Sequence, residues 1–151
     1  SQLAMHVNQK MPTHAFDRLN EMLGGSCTGK TVLVLGVSYR QDISDTRYSP
    51  VEILVRSLEE NGANVMGYDP YIDYWQEMDR SLLQDLPNPN NFDAIAITTA
   101  HQEFYNLELL DWLNGARPVV LDTVNVISKK NRQRYRKAGI ILESIGRGVG
   151  L

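Results

Sequence analysis

The 151 residues carry 15 Lys and Arg against 18 Asp and Glu, a net charge of −3, with 42% hydrophobic and 22% charged residues. That balance describes an ordinary globular protein of one domain, or one domain with an appendage, and gives no net positive field to attract nucleic acid or an anionic membrane. No apolar run approaches the roughly 20 residues of a membrane-spanning helix. The single cysteine excludes an internal disulfide and fits a reducing compartment, and no secretory signal pattern opens the sequence, so a cytoplasmic location is expected.

In chain order, the first 24 residues read as a separate helix, with Phe16, Leu19, Met22 and Leu23 on one face and Gly24-Gly25 ending it. Residues 1–28 are expected to be a connector helix with its lead-in segment, and residues 29–151 a single Rossmann-like domain. Five short apolar runs follow, at residues 31–37, 64–68, 94–98, 119–122 and 140–143. Continuous apolar runs of this length suit strands buried on both faces, as in a parallel sheet. Between the first two runs lies the clearest helix. Val51, Leu54, Val55 and Leu58 make one stripe, Ser49 and Glu52 have capping-box spacing, Pro50 stands at the first helical position, and Asn61-Gly62 supplies the stop. Residues 102–113 and 128–138 are further helix candidates, residues 86–91 are a loop by turn chemistry, and Trp75 and Trp112 are expected at core edges. The alternation predicts an α/β fold: a three-layer α/β/α Rossmann-like domain around a five-stranded parallel sheet in the order 3-2-1-4-5. Such sheets take ligands beyond the carboxyl ends of their strands, where the strand order reverses. The loop after the first strand, residues 38–48, is therefore the first place to look for a site.

Three strings suggest chemistry without the context it needs. Gly24-Gly25-Ser26-Cys27-Thr28-Gly29-Lys30-Thr31 matches the phosphate-binding P-loop, but that loop requires a strand before it and a helix after it, and here the order is inverted. Asp69 closes the second strand where a dinucleotide-binding domain would hold a ribose. The first turn, however, reads Gly36-Val37-Ser38-Tyr39-Arg40-Gln41, with one glycine of the three a pyrophosphate requires, so Asp69-Pro70 reads as a strand-ending turn. Cys27 has no His within local reach and reads as a turn residue rather than a nucleophile.

The loop after the first strand holds Arg40 and Arg47, whose guanidinium forks suit phosphate or carboxylate, with Asp42 and Asp45 available to hold its shape. The run from Gly36 to Pro50, Gly-Val-Ser-Tyr-Arg-Gln-Asp-Ile-Ser-Asp-Thr-Arg-Tyr-Ser-Pro, is followed by Gly-Ala-Asn-Val-Met-Gly-Tyr-Asp-Pro from Gly62 to Pro70. Together they closely resemble the C-terminal, nucleotide-sugar-binding domain of the UDP-glucose/GDP-mannose dehydrogenase family, through its pattern G-x-x-[FY]-K-x-x-x-x-D-x-R-x-S-P and the later Y-D-P. Asp93-Ala94-Ile95 and Thr99-Ala100-His101-Gln102-Glu103-Phe104 resemble further family segments, and Asn8 with Met11-Pro12 resembles the start of the helix leading into this domain.

The resemblance implies a parent enzyme that oxidises the sugar C6 alcohol of a UDP-sugar to the carboxylate with NAD, through a catalytic cysteine and an NAD-binding domain lying outside this sequence. A GDP-sugar is the lesser expectation. It implies that Tyr39 and Arg40 contact the nucleotide, that Arg47 reaches toward the NAD, that no catalytic residue and no metal site lies here, and that the parent dimerises through a central helix outside this sequence. Two departures stand out: Arg40 occupies a position where the family usually has Lys, and Val124, in Asp122-Thr123-Val124-Asn125, one where many members have Arg. The alternative expectation is a stand-alone, non-catalytic nucleotide-binding or regulatory module. Elsewhere, six basic residues among the nine from Lys129 to Lys137 read as a solvated helix face, and His101 as a helix-start residue.

Overall fold

The structure, a computed structural model, describes residues 10–38, 41–44, 46 and 49–145. The elements are α1 (Lys10–Met22), β1 (Thr31–Leu35), α2 (Pro50–Glu60), β2 (Asn64–Tyr68), β3 (Tyr74–Trp75), β4 (Arg80–Ser81), β5 (Ala94–Ile97), α3 (Gln102–Tyr105), α4 (Leu109–Leu113), β6 (Val119–Asp122), α5 (Lys129–Lys137) and β7 (Leu142–Ser144). Five strands form one parallel sheet in the spatial order β2-β1-β5-β6-β7, and β3 and β4 form a small antiparallel hairpin.

The α/β class and the parallel sheet are as expected; the strand order is not. Counting only the five sheet strands, it runs 2-1-3-4-5, not 3-2-1-4-5. Burial gives the reason. β2 exposes Asn64 and Met66 and suits a sheet edge, whereas all four residues of β5 are buried, so β5 occupies the interior beside β1. The chain therefore reverses direction across the sheet between β1 and β5, and the switch point lies between the loops that leave those two strands.

Alternate residues of β1 serve two cores. Val32 and Val34 pack with Ala15 and Leu19 of α1 and with Val51, Leu54, Val55 and Leu58 of α2. Leu33 and Leu35 pack on the opposite face with Phe104, Leu109, Leu113 and Tyr135. Helix α2 forms as its sequence predicts: the Ser49 hydroxyl accepts the Val51 N–H at 3.2 Å, Pro50 opens the helix, and the four stripe residues are buried. Trp75 is not at a core edge but is buried in the first core, while Trp112 is half-buried with its indole N–H donating to the Pro87 carbonyl at 3.1 Å.

The stretch 102–113 is not one helix. Phe104 and Leu109, both buried, stand five residues apart, which one helical face cannot accommodate, and the chain makes two short turns instead. On α5 the arginines are occupied locally. Arg132 donates to Asn125 and the Ile127 carbonyl, Arg134 grips Glu108 with two bonds, and Arg136 donates to the Leu142 carbonyl.

Candidate functional site

At the end of β1 the backbone turns at Gly36, whose φ is +100°. A Cβ there would lie 2.5 Å from Thr99 Cβ and 2.9 Å from Thr99 N, so only glycine lets this turn press against the turn leaving β5. Three hydroxyl bonds secure the approach: Thr98 Oγ1 donates to the Gly36 carbonyl at 2.6 Å and the Leu35 carbonyl at 3.1 Å, and Thr99 Oγ1 donates to the Ser38 carbonyl at 3.0 Å.

Asp69, the first residue after β2, gathers the site. It is 4% exposed. Its Oδ2 accepts the Val37 N–H at 2.8 Å, the Ser38 N–H at 3.3 Å, the Ser38 hydroxyl at 3.2 Å and His101 Nε2 at 3.0 Å, while its Oδ1 accepts the Tyr71 N–H at 2.9 Å. Burial by itself pushes the carboxyl upward, but the bonds from His101, Tyr71 and Val37 outweigh it and hold Asp69 below the ordinary carboxylate range. The strand-ending turn expected at Asp69-Pro70 is therefore present, and it is also an anion held within the protein.

That anion bears on what the first turn can bind. In a dinucleotide-binding turn the N–H groups after the first strand face a pyrophosphate. Here the Val37 and Ser38 N–H groups are both spent on Asp69. Those two N–H groups do not face a pyrophosphate, in agreement with the missing glycines.

His101 connects the two loops. Its side chain is fully buried, its Nδ1 accepts the Asp42 N–H at 2.7 Å, and its ring lies 4.7 Å from that of Tyr71 and 5.6 Å from that of Phe104. Asp42, with φ +59°, returns a bond: its Oδ1 accepts the Gln102 N–H at 2.7 Å. A second tie further along the same loop runs from the Thr46 hydroxyl to Glu77 Oε1 at 2.5 Å. Beside the cluster a cleft of about 350 Å³ is lined by Tyr68, Asp69, Pro70, Tyr71, Ile72, Asp73 and Gln84. Tyr71 is 39% exposed, and its hydroxyl donates to Glu103 Oε1 at 3.1 Å.

The sequence-predicted residues Tyr39, Arg40 and Arg47 lie outside the described residues, as does Asp45. Val124 is half-buried at the carboxyl end of β6, its N–H donating to Asp122 Oδ1 at 3.1 Å. Cys27 is buried at the opposite end of β1, and burial pushes its thiol up, away from the thiolate a nucleophile needs. The P-loop string has α1 before it and β1 after it, the inverted order read from the sequence. Among the described residues, no group of His, Cys, Asp and Glu is arranged to hold a metal ion, and no helix is long and apolar enough to cross a membrane. The sequence alone does not mark His101 as a hub. The available signals were its place in Thr99-Ala100-His101-Gln102-Glu103-Phe104 and the strand end just before it, but the partners, Asp42 and Asp69, are 59 and 32 residues away.

A model of the UDP-glucose/GDP-mannose dehydrogenase family, UDP binding domain, matches residues 33–129, which includes both loops of the switch point. A UDP-N-acetyl-D-mannosamine dehydrogenase of Methanococcus vannielii is 27% identical over 151 residues, covering 97% of this chain and 34% of the relative. A UDP-glucose 6-dehydrogenase of Rhizobium meliloti is 32% identical over 133 residues, covering 82% of this chain and 29% of the relative. Among solved structures, an NDP-N-acetyl-D-galactosaminuronic acid dehydrogenase of Methanosarcina mazei superposes with a TM-score of 0.76 at 27% identity, covering 95% of this chain and 30% of that one. The chain thus spans about a third of the length of the curated relatives it matches.

Proposed function

From the premise that this chain belongs to the UDP-glucose/GDP-mannose dehydrogenase family, as its UDP-binding domain, we propose that it holds the nucleotide of a UDP-sugar for a longer, NAD-dependent dehydrogenase. The parent oxidises the sugar C6 alcohol to the carboxylate, and the redox chemistry belongs to NAD held by another domain. The observation that carries the reading is the position of the β1–α2 loop. It leaves the sheet at the switch point, where α/β folds bind ligands, and its described residues Val37, Asp42 and Thr46 are tied to Asp69, His101 and Glu77.

In this reading Tyr39 stacks on the nucleotide, Arg40 neutralises the diphosphate, and Arg47 faces the NAD carried by the other domain. Asp69 and His101 shape the turn and touch no ligand. The Val37 and Ser38 amides are committed to Asp69, and in this reading the NAD pyrophosphate is held by a different domain. Residues 1–28 form the connector from that part of the parent and residues 29–151 the nucleotide-sugar domain. The parent works as a homodimer in the cytoplasm and has no nucleic-acid or membrane partner. UDP is favoured over GDP because the curated relatives compared above are named for UDP-sugars.

Titration calorimetry of this chain with UDP, GDP and NAD tests the proposal. UDP is expected to bind, more tightly than GDP, and Arg40→Ala is expected to weaken it by about tenfold or more, the loss of one charge-assisted hydrogen bond. Tighter binding of NAD than of UDP, or unchanged UDP affinity in the variant, overturns it.

A further inference from the structure

Resting on that reading of the β1–α2 loop, we propose that His101 is a positioning residue for nucleotide binding: its neutral imidazole, protonated on Nε2, clasps the loop after β1 to the turn after β5. The two ring nitrogens have different partners, and the partners assign the proton. A backbone N–H can only donate, so Nδ1, 2.7 Å from Asp42 N, carries the lone pair. Asp69 Oδ2, which already accepts from Val37 and Ser38, accepts the remaining proton from Nε2 at 3.0 Å.

The clasp is reciprocal. The loop donates to the turn through Asp42 N–H, and the turn donates back through Gln102 N–H to Asp42 Oδ1 at 2.7 Å. Asp42 adopts a left-handed backbone that a non-glycine residue holds only when its surroundings compensate, and these two bonds are that compensation. The ring has no freedom to turn over, being fully buried between Tyr71 and Phe104. Asp69 thus fixes the tautomer, the tautomer provides the acceptor, and the acceptor sets where Asp42 sits at the switch point. A segment already pinned at Asp42 lowers the ordering cost of binding a ligand there.

Two substitutions separate the halves of the ring. Asn carries its amide oxygen at the side-chain position where histidine has Nδ1; Gln carries its amide nitrogen where histidine has Nε2. His101→Asn is expected to keep the acceptor for Asp42 and to bind UDP within about twofold of the wild type, even though the chain loses stability. His101→Gln is expected to keep the donor to Asp69 and to bind UDP about tenfold more weakly, with the Asp42 amide exchanging freely with solvent. Nitrogen-15 NMR of the wild-type chain is expected to show Nε2 protonated and Nδ1 bare. Equal UDP affinity in the two variants, an Nδ1-protonated wild type, or an Asp42 amide as unprotected in the wild type as in His101→Gln overturns the proposal. If the wild type does not bind UDP at all, the reading of the chain's function falls, and the clasp is then decided by the tautomer and the Asp42 amide alone.

Discussion

Asp69 and Asp122 solve the same local problem with opposite electrostatic results. Each stands at the carboxyl end of a parallel strand, each is buried, and each uses its carboxylate to accept backbone N–H groups of the turn that follows. Asp122 Oδ1 accepts from Val124 at 3.1 Å and its Oδ2 from Ile127 at 2.8 Å. Burial nevertheless dominates there, and the carboxyl is pushed above its ordinary range. Asp69 receives in addition the imidazole N–H of His101 and the Ser38 hydroxyl, and is held below that range. Backbone amides alone shape a turn around a buried carboxylate, but a side-chain donor from a third segment is what makes the carboxylate comfortable in its charged form. The turn at Asp122 organises only its own neighbourhood, whereas Asp69 ties three segments together at the switch point.

The largest effect should come from Asp69→Asn. The amide group turns a donor toward N–H groups that need an acceptor, so stability is expected to fall by about 3–5 kcal/mol, read from urea unfolding. Asp122→Asn removes a charge that burial already disfavours and should lose about 1–2 kcal/mol in the same assay. Equal losses would erase the contrast.

Acid titration of stability sharpens it further. Asp69 titrates lower in the folded chain than in the unfolded one, so its contribution is present above about pH 4 and disappears as pH falls through its lower folded value. Asp122 titrates higher in the folded chain, so its contribution is present below about pH 4 and is lost as pH rises through its higher folded value. The Asn variants should each remove one of these opposite slopes from the stability curve. The smallest effect is expected from Arg134→Met on α5, which breaks an exposed pair with Glu108 and should leave the thermal midpoint within measurement error.

Much of the fold was legible because it rests on local patterns. The Ser49 cap, Pro50 and the stripe of Val51, Leu54, Val55 and Leu58 all do in space what their spacing says. Strand positions followed from continuous apolar runs, with β2 and β6 matching to the residue. Strand order was not legible in the same way, since it depends on which run is buried on both faces, and Asn64-Val65-Met66-Gly67-Tyr68 is apolar enough to pass for an inner strand. The candidate loop was located by the same β–loop–helix logic that gave α2. The anchors were not, because Asp42, Asp69 and His101 are brought together by the sheet and share no sequence period. Asp69 looked like a turn residue and His101 like a helix start; each is that, and the additional role arises only where the two meet.

The contact between Gly36 and Thr99 leaves no room for even a methyl group, and the clasp through His101 lies just beyond it. The described stretch Gly36 to Ser38 with Asp42, and the facing stretch Thr98 to Gln102, are therefore two parts of one joint. Transplanting the first stretch into a cousin to retune its nucleotide preference, while keeping the cousin's own second stretch, would graft a fingertip without the joint that bends it.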